Sequence, residues 1–455
     1  MAQGQAADKL SVRARAGFGV GDFGFNLYYT GLNLFLLYYY TDVLEIRPAV
    51  AGLIFALPLV WDAITDPLMG LIASRTKTRF GSYRPYVLFG AVPLAISFVM
   101  MFAAPLLFPG AVVAAAAVTH LIFRTCYTVV SIPYTALSAR MTRDSGERGA
   151  LAGVRMIFAT LGGLFTVFMT LPLAAQLGDG DLRVGFFYVA VVYAIAATVI
   201  FLITFSQTSE RAEDDAVSTP TFADMKRLVA RNRALWVLIA AIVIASTGSA
   251  IFGKALIYYV KYVAGIDLSV TGALVALTAA VSLSVPVWMG LSRFISKRNA
   301  WLLGAAISLS MQAALFLFPP STPELFMALL VVMGFGNAAF VVTFWSMLPD
   351  TVEYGEWRSG VRDEGLVFGL NQLALKAASG LGIGILGFAL EAVGYVANQD
   401  QTDATASGLR VISILIPFLC GLAAAALITL YPIDRNLHAR LVAAIDHRKR
   451  RQRAA

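Results

Sequence analysis

The sequence predicts an all-α membrane protein of twelve transmembrane helices in two six-helix halves. Composition points first to a bilayer, since 58% hydrophobic and only 14% charged residues exceed what a water-soluble core and surface need. Apolar runs recur near the ~20 residues that a helix needs to cross a membrane. One long polar stretch then divides these runs six and six.

In chain order the apolar runs fall at 16–40, 50–74, 86–106, 110–137, 150–173, 185–206, 234–260, 268–291, 300–318, 323–347, 364–393 and 408–432. The first follows a polar N-terminus and is too long for a signal-peptide core, so it is read as a helix that directs its own insertion. Residues 206–233 form the longest interior polar stretch, giving an N-terminal half over 1–206, a middle loop over 207–233, a C-terminal half over 234–432 and a basic tail over 433–455. The halves echo each other. The loop S-R-T-K-T-R-F-G-S-Y-R-P-Y after the second run matches in position S-R-F-I-S-K-R-N after the eighth. The polar loop A-R-M-T-R-D-S-G-E-R after the fourth matches P-D-T-V-E-Y-G-E-W-R-S-G-V-R-D-E after the tenth. Two repeats related by an axis along the membrane normal are a transporter architecture, with substrate held between them near the midplane.

Basic loops stay in the cytoplasm. Of the Lys and Arg residues outside the runs, 27 lie on one side and four, Arg47, Arg183, Lys261 and Arg410, on the other, which places both termini in the cytoplasm. The net charge of +8 then reads as a topology signal with attraction to anionic membrane lipids, densest in H-R-K-R-R-Q-R at 447–453, rather than as a nucleic-acid footprint. Cys126 and Cys420 both fall within apolar runs, so no disulfide framework is expected.

The second run carries W-D-A-I-T-D-P at 61–67. An ionised Asp at a helix centre costs roughly 2.5–3.5 kcal/mol on insertion scales, so such residues face the bundle interior and usually serve a function. Asp62 and Asp66, four residues apart, share a helix face, with Thr65 beside Asp62. Pro67 frees the carbonyl of Ala63. Two carboxylates ~6 Å apart repel by about 3 kcal/mol at an effective dielectric of ~20, so the pair calls for a cation or a proton. Hard oxygen ligands suit a hard cation, and Na+ is the first candidate. The alternative is an internal counter-ion: Arg124, one turn before Thr128 in the fourth run, is placed to pair with the same acids. In the first run Asp22, Asn26 and Tyr29 share a face and give the mixed polar and aromatic surface that a hydroxyl-rich ligand needs. The competing reading for these three is interhelical hydrogen bonding, with Arg155 as a partner for Asp22.

The segments Y-Y-Y-T-D-V-L (38–44), W-D-A-I-T-D-P-L-M-G (61–70), R-F-G-S-Y-R-P-Y (79–86), Y-T-V-V-S-I-P-Y-T-A-L (127–137) and D-T-V-E-Y-G-E (350–356) resemble the glycoside-pentoside-hexuronide:cation symporter family of the major facilitator superfamily. The likeness runs from about residue 12 to 395. It implies that Asp62 and Asp66 hold the coupling cation with Thr65 and Thr128, that Asp22, Tyr127 and Arg155 bind sugar, and that Lys376 lies near the cation and helps couple the halves. Asn371 and Gln372 add polar groups one turn before Lys376. Ser131 and Thr135 stand where the melibiose permease of that family has an acidic sugar ligand and a stacking Trp, which weakens any galactoside assignment. Arg155 with Lys376 could meet a substrate carboxylate instead. Trp345 is either a binding residue or an interfacial anchor.

Other signals are discounted. G-V-G-D-F-G (19–24) has dinucleotide-loop spacing but follows no strand, so its glycines read as helix-packing positions. His120 stands without a second ligand at metal spacing. Asp42 and Glu391 lie near run ends and are expected to reach water. Charged residues of the polar loops, Arg140 and Arg148 with Asp350, Glu353 and Arg362, are candidates for a cytoplasmic gate or a solvated surface. The expectation is therefore a monomeric, multi-pass inner-membrane symporter for a small glycoside or uronide, coupled to Na+ or H+, with no other cofactor and no enzymatic activity. A lysolipid carrier of the same fold and a non-transporting sensor are the rivals.

Overall fold

The structure, a computed structural model, describes residues 10–142, 145–210, 228–266, 269–292, 294–361, 363–434, 437–438, 440–441, 443–445 and 447, including their side chains except those of 139, 145, 146, 148 and 149. The helices are α1 (Val12–Tyr38), α2 (Pro48–Arg75), α3 (Arg84–Leu107), α4 (Val112–Met141), α5 (Ser145–Leu177) and α6 (Leu182–Gln207). There follow α7 (Arg233–Tyr262), α8 (Val270–Leu291), α9 (Lys297–Leu317), α10 (Pro323–Ser359), α11 (Glu364–Ala392) and α12 (Asp403–Thr429), the last with a π-helical turn at Val411–Leu415. Eleven of these are long and apolar enough to cross a membrane. The exception is α1. Its 27 residues suffice in length, but its glycines, tyrosines, asparagines and Asp22 dilute its apolar content.

Helix starts follow their caps. Ser11, Asp181, Asn232, Ser269, Ser296, Thr322 and Thr402 each accept a hydrogen bond from a backbone N–H of the following turn. At the other end, Gly360 takes φ 78° to close α10, a backbone that a side chain would strain. Glu210 caps α3 from a distance: its carboxylate accepts from the N–H groups of Ser82, Tyr83 and Arg84 at 2.7–2.8 Å.

The chain divides into two compact units, Met1–Asp215 with Gly387–Gln399, and Ala216–Leu386 with Asp400–Ala455. In the first unit α1 packs on α5 and α6, α3 on α4 and α6, and α2 on α4. Its centre is aromatic, with Phe18, Phe25, Tyr28, Phe98, Phe123, Tyr134 and Phe201 in contact around α1. In the second unit α10 packs on α8, α9 and α7, and α12 on α7 and α9. Close approach of α9 and α10 depends on small residues, since a Cβ at Gly304 would stand 2.6 Å from the carbonyl oxygen of Gly336.

Three expectations need correction. The tenth helix runs to Ser359, twelve residues past the expected end at 347, because the polar residues that marked a loop have partners: Lys297 pairs with Asp350 at 2.8 Å and His438 with Glu353 at 2.7 Å. Asp42 does not reach water. It lies in a π-helical turn, 3% exposed, and accepts from the Tyr395 hydroxyl at 2.9 Å and the Thr41 hydroxyl at 2.8 Å. Glu391, by contrast, is exposed as expected, and it also accepts from the N–H of Ala49 at 3.0 Å in the first turn of α2. The segment after α12 is also more than a basic tail, since Ile433, Leu441 and Ile445 are buried and Leu441 joins the core of the second unit. Residues 448–453 of its basic run lie outside the described residues.

Packing at Gly304 gives a paired test. Gly304→Leu should destabilise the protein by about 1–3 kcal/mol through overpacking and lower its unfolding temperature in detergent by several degrees. Gly290→Ala, where an added Cβ meets nothing within 4 Å, should leave that temperature unchanged or slightly raised.

Candidate functional site

Two polar clusters lie in the first unit. The first is a ladder between α2 and α4. The Arg124 guanidinium pairs with the Asp62 carboxylate through Nη2, with Nε 3.4 Å from Oδ1, and one turn on the Thr128 hydroxyl donates to Asp66 Oδ1 at 2.8 Å. Both rungs join residues 62 apart in sequence, so the spacing of four in each helix brings the pairs into register. Trp61 Nε1 adds a contact beside them, donating to Thr125 Oγ1 at 3.0 Å. Asp62 is 1% and Arg124 8% exposed, whereas Asp66 is half-buried. Thr65 turns its hydroxyl proton back to the Trp61 carbonyl at 3.2 Å.

The second cluster joins α1, α4 and α5. Arg155 forks onto Asp22, with Nε 2.7 Å from Oδ2 and Nη2 3.1 Å from Oδ1. The Tyr134 hydroxyl lies 2.6 Å from both Asp22 Oδ2 and the Phe18 carbonyl, and the guanidinium also sits over the Tyr134 ring, 5.2 Å from its centroid. Asn26 donates to the Asp22 carbonyl at 2.8 Å and accepts from Thr30 at 3.0 Å, so its amide works along its own helix. Tyr29 is half-exposed.

Tyr127 stands between the clusters. Arg124 lies over its ring at 5.8 Å, Phe25 and Phe123 pack against it, and it is within electrostatic reach of Tyr29, Arg124, Asp22 and Asp66. Ser131 is half-buried, and the Thr135 hydroxyl donates to the Ser131 carbonyl at 2.9 Å. Sequence reasoning missed Tyr134, although it stands seven residues after Tyr127 on the same face of α4 and within a quoted motif. Of the acids in the two clusters, Asp62 pairs with Arg124, Asp22 pairs with Arg155, and Asp66 accepts from the Thr128 hydroxyl.

The remaining candidates belong to the second unit. Asn371 is fully buried and neither atom of its amide has a hydrogen-bond partner; Gln372 is exposed and Lys376 half-buried. Trp345 is 41% exposed, lies within α10 and packs at a tilt against Phe344, ring centroids 4.9 Å apart. Of the gate candidates, Arg140 lies over the Tyr83 ring at 5.5 Å, while Asp350 and Glu353 are engaged by Lys297 and His438. Arg362 lies outside the described residues, as does the side chain of Arg148. Asp350, Glu353 and His438 are the one group among the described residues that could offer three metal ligands together, but the Lys297 ammonium already lies 2.8 Å from both Asp350 oxygens. His120 is buried against the Ile54 carbonyl at 3.2 Å.

Eleven membrane-length apolar helices with buried ion pairs between them are those of a multi-pass membrane protein, and comparison with known proteins identifies its class as a transporter. The backbone resembles a bacterial homologue of the human lysosomal transporter Spinster in an inward-facing, unoccupied conformation, with a TM-score of 0.69, 16% identity, and 92% of this chain and 95% of that one covered. Residues 17–435 match the model of the MFS/sugar transport protein family. The chain is 32% identical to a glucuronide carrier protein homolog of Escherichia coli over 98% of its own length and 97% of that protein's, and 31% identical to an isoprimeverose transporter of Lactiplantibacillus pentosus over 92% and 88%. It belongs to the glycoside-pentoside-hexuronide:cation symporters of the major facilitator superfamily, which are transporters and not enzymes.

The buried rung yields a stability test. Arg124→Gln takes the guanidinium away from the buried Asp62 carboxylate and should cost about 3–5 kcal/mol, seen as a fall in unfolding temperature, whereas adding Asp62→Asn should restore much of the loss. Equal losses in the single and double variants would show that the pair is not coupled.

Proposed function

We propose that this symporter takes up a glycoside, pentoside or hexuronide with one monovalent cation, Na+ or H+, which the α2–α4 ladder receives. The observation that carries this reading is the ladder itself: Asp66, an acid within a membrane-length helix, is oriented by the Thr128 hydroxyl one turn from the Asp62–Arg124 pair. Acids inside a membrane helix are costly and usually serve a function, and hard oxygen ligands suit a small cation or a proton. Arg124 neutralises Asp62 and acts as the built-in part of the site. Asp66, half-buried and oriented by Thr128, is then the acid that meets the mobile cation, with the hydroxyl oxygens of Thr128 and Thr65, whose protons are donated elsewhere, as further ligands.

The sugar is assigned to the Asp22–Arg155–Tyr134 cluster and Tyr127. A forked carboxylate–guanidinium pair offers donors and acceptors in one plane, which suits vicinal hydroxyls, and the tyrosine rings supply apolar faces for the sugar ring. The glucuronide carrier and isoprimeverose transporter among the relatives support a glycoside of this kind. For a uronide, the substrate carboxylate competes with Asp22 for Arg155. Coupling follows if the cation and sugar stabilise the same closed state, each raising the affinity for the other. The charge bias of the loops supports a bacterial inner-membrane orientation with both termini in the cytoplasm.

Uptake into vesicles under an imposed Na+ or H+ gradient tests the cation assignment. Asp66→Asn should abolish cation stimulation and reduce accumulation at least tenfold, while leaving cation-independent exchange of preloaded sugar measurable. Stimulation that survives in Asp66→Asn would remove the ladder from the coupling scheme. For the sugar cluster, Arg155→Lys, which keeps the charge but loses the fork, should raise the half-saturating sugar concentration about tenfold or more with little change in cation dependence.

A further inference from the structure

A hollow of about 570 Å3 opens at the end of the second unit where α7 begins and α10 ends, within the ~300–1,000 Å3 of pockets that hold small molecules. Three arginines line it, Arg231 and Arg233 at the start of α7 and Arg358 in the last turn of α10, and no acid does. Tyr354 and Trp357 of α10, with Leu437 beyond α12, supply the rest of the wall.

The backbone that carries these arginines is fixed. Asn232, between Arg231 and Arg233, is fully buried: its Oδ1 caps α7 by accepting from the Leu235 N–H at 3.0 Å, and its Nδ2 donates to the Thr351 carbonyl of α10 at 2.8 Å. Trp236 Nε1 donates to the Val229 carbonyl at 3.0 Å and ties the preceding turn to α7. On the α10 side the Arg358 guanidinium lies 4.8 Å from the Trp357 ring centroid and 5.6 Å from that of Tyr354, and its Nε lies 3.4 Å from the Tyr354 hydroxyl. Its two terminal amino groups are left for a ligand. Among the described residues no carboxylate pairs with Arg231, Arg233 or Arg358. Of the acids carried by the same segments, Glu353 is held by His438 at 2.7 Å, Asp434 accepts from the Leu437 N–H at 2.7 Å and Glu356 is buried. Three like charges around one hollow repel, and an anion between them relieves that repulsion.

We propose that this hollow binds the phosphodiester headgroup of an anionic membrane lipid, with the phosphate among the three arginines and the glycerol against Trp357. The planar donors of arginine match phosphate oxygens two at a time. A lipid is the source because membrane-length helices set this end of the bundle at the bilayer edge, and Trp236, half-exposed in the first turn of α7, stands where interfacial tryptophans sit.

The full-length protein, purified in an uncharged detergent, is titrated with dioleoylphosphatidylglycerol, dioleoylphosphatidylcholine or glycerol 3-phosphate, with bound molecules counted by native mass spectrometry and the unfolding temperature recorded. The wild type should retain phosphatidylglycerol and unfold several degrees higher with it. Phosphatidylcholine, whose choline brings a positive charge to the arginines, and glycerol 3-phosphate, which has no acyl chains to anchor it, should each bind about tenfold more weakly or worse. Arg358→Gln should weaken phosphatidylglycerol binding about tenfold, the order expected for a lost charge-assisted hydrogen bond. Arg440→Gln removes the same charge at an exposed position outside the hollow and should change binding by about twofold or less. Both variants should unfold near the wild-type temperature without lipid. Equal weakening in the two variants would show attraction to net charge alone and overturn the proposal, as would phosphatidylcholine bound as tightly as phosphatidylglycerol. Glycerol 3-phosphate bound as tightly as the lipid would give the site to soluble phosphate esters and overturn the lipid assignment.

Discussion

The ion pair between Arg124 and Asp62 is the constraint on which the first unit depends. Two charges that are individually costly in a hydrocarbon-like interior are tolerable as a well-formed pair, and the pair fixes how α2 and α4 lie against each other. With that register set, Thr128 falls opposite Asp66 and Thr125 opposite Trp61. The arginine takes up the charge of Asp62, and the Thr128 hydroxyl orients Asp66 one turn further along the same two helices.

The Asp22 cluster repeats this logic with a different balance. Asp22 and Arg155 cancel each other, and Tyr134 completes the carboxylate's shell. Neutral overall, the cluster can exchange one internal hydrogen bond for one to a ligand without changing its charge. Tyr127, in contact with Phe25 and Phe123 and beneath Arg124, connects the two regions through a packed aromatic group. Such a link is a physical route by which occupation of one region could be felt in the other.

Most of this was legible in the sequence where a residue's chemistry conflicts with its surroundings. Asp62 and Asp66 stand out against an apolar helix, and their spacing of four fixes a shared face. The same spacing between Arg124 and Thr128 places the arginine opposite the acids, as one of the two readings required. What could not be read was partnership across large distances in the chain. Asp350 and Glu353 resemble loop residues until Lys297 and His438 are seen beside them, and hydropathy therefore ended α10 too early. Asp42 looks like a residue at the water's edge until the Tyr395 hydroxyl is found on it. Hydropathy also ranks α1 below the other helices, because the glycines and polar residues that let it pack closely and carry Asp22 are the ones that lower its apolar content.

The return of Gly387–Gln399 to the first unit has a consequence for how that unit is made. Asp42 and the start of α2 obtain the Tyr395 hydroxyl and the Glu391 carboxylate only after nearly nine-tenths of the chain has been translated. During synthesis the early helices must wait in the membrane with a buried acid short of its final donor. The N-terminal portion expressed as a separate fragment would keep that deficiency, and co-expression with the complementary fragment would be its route to completion.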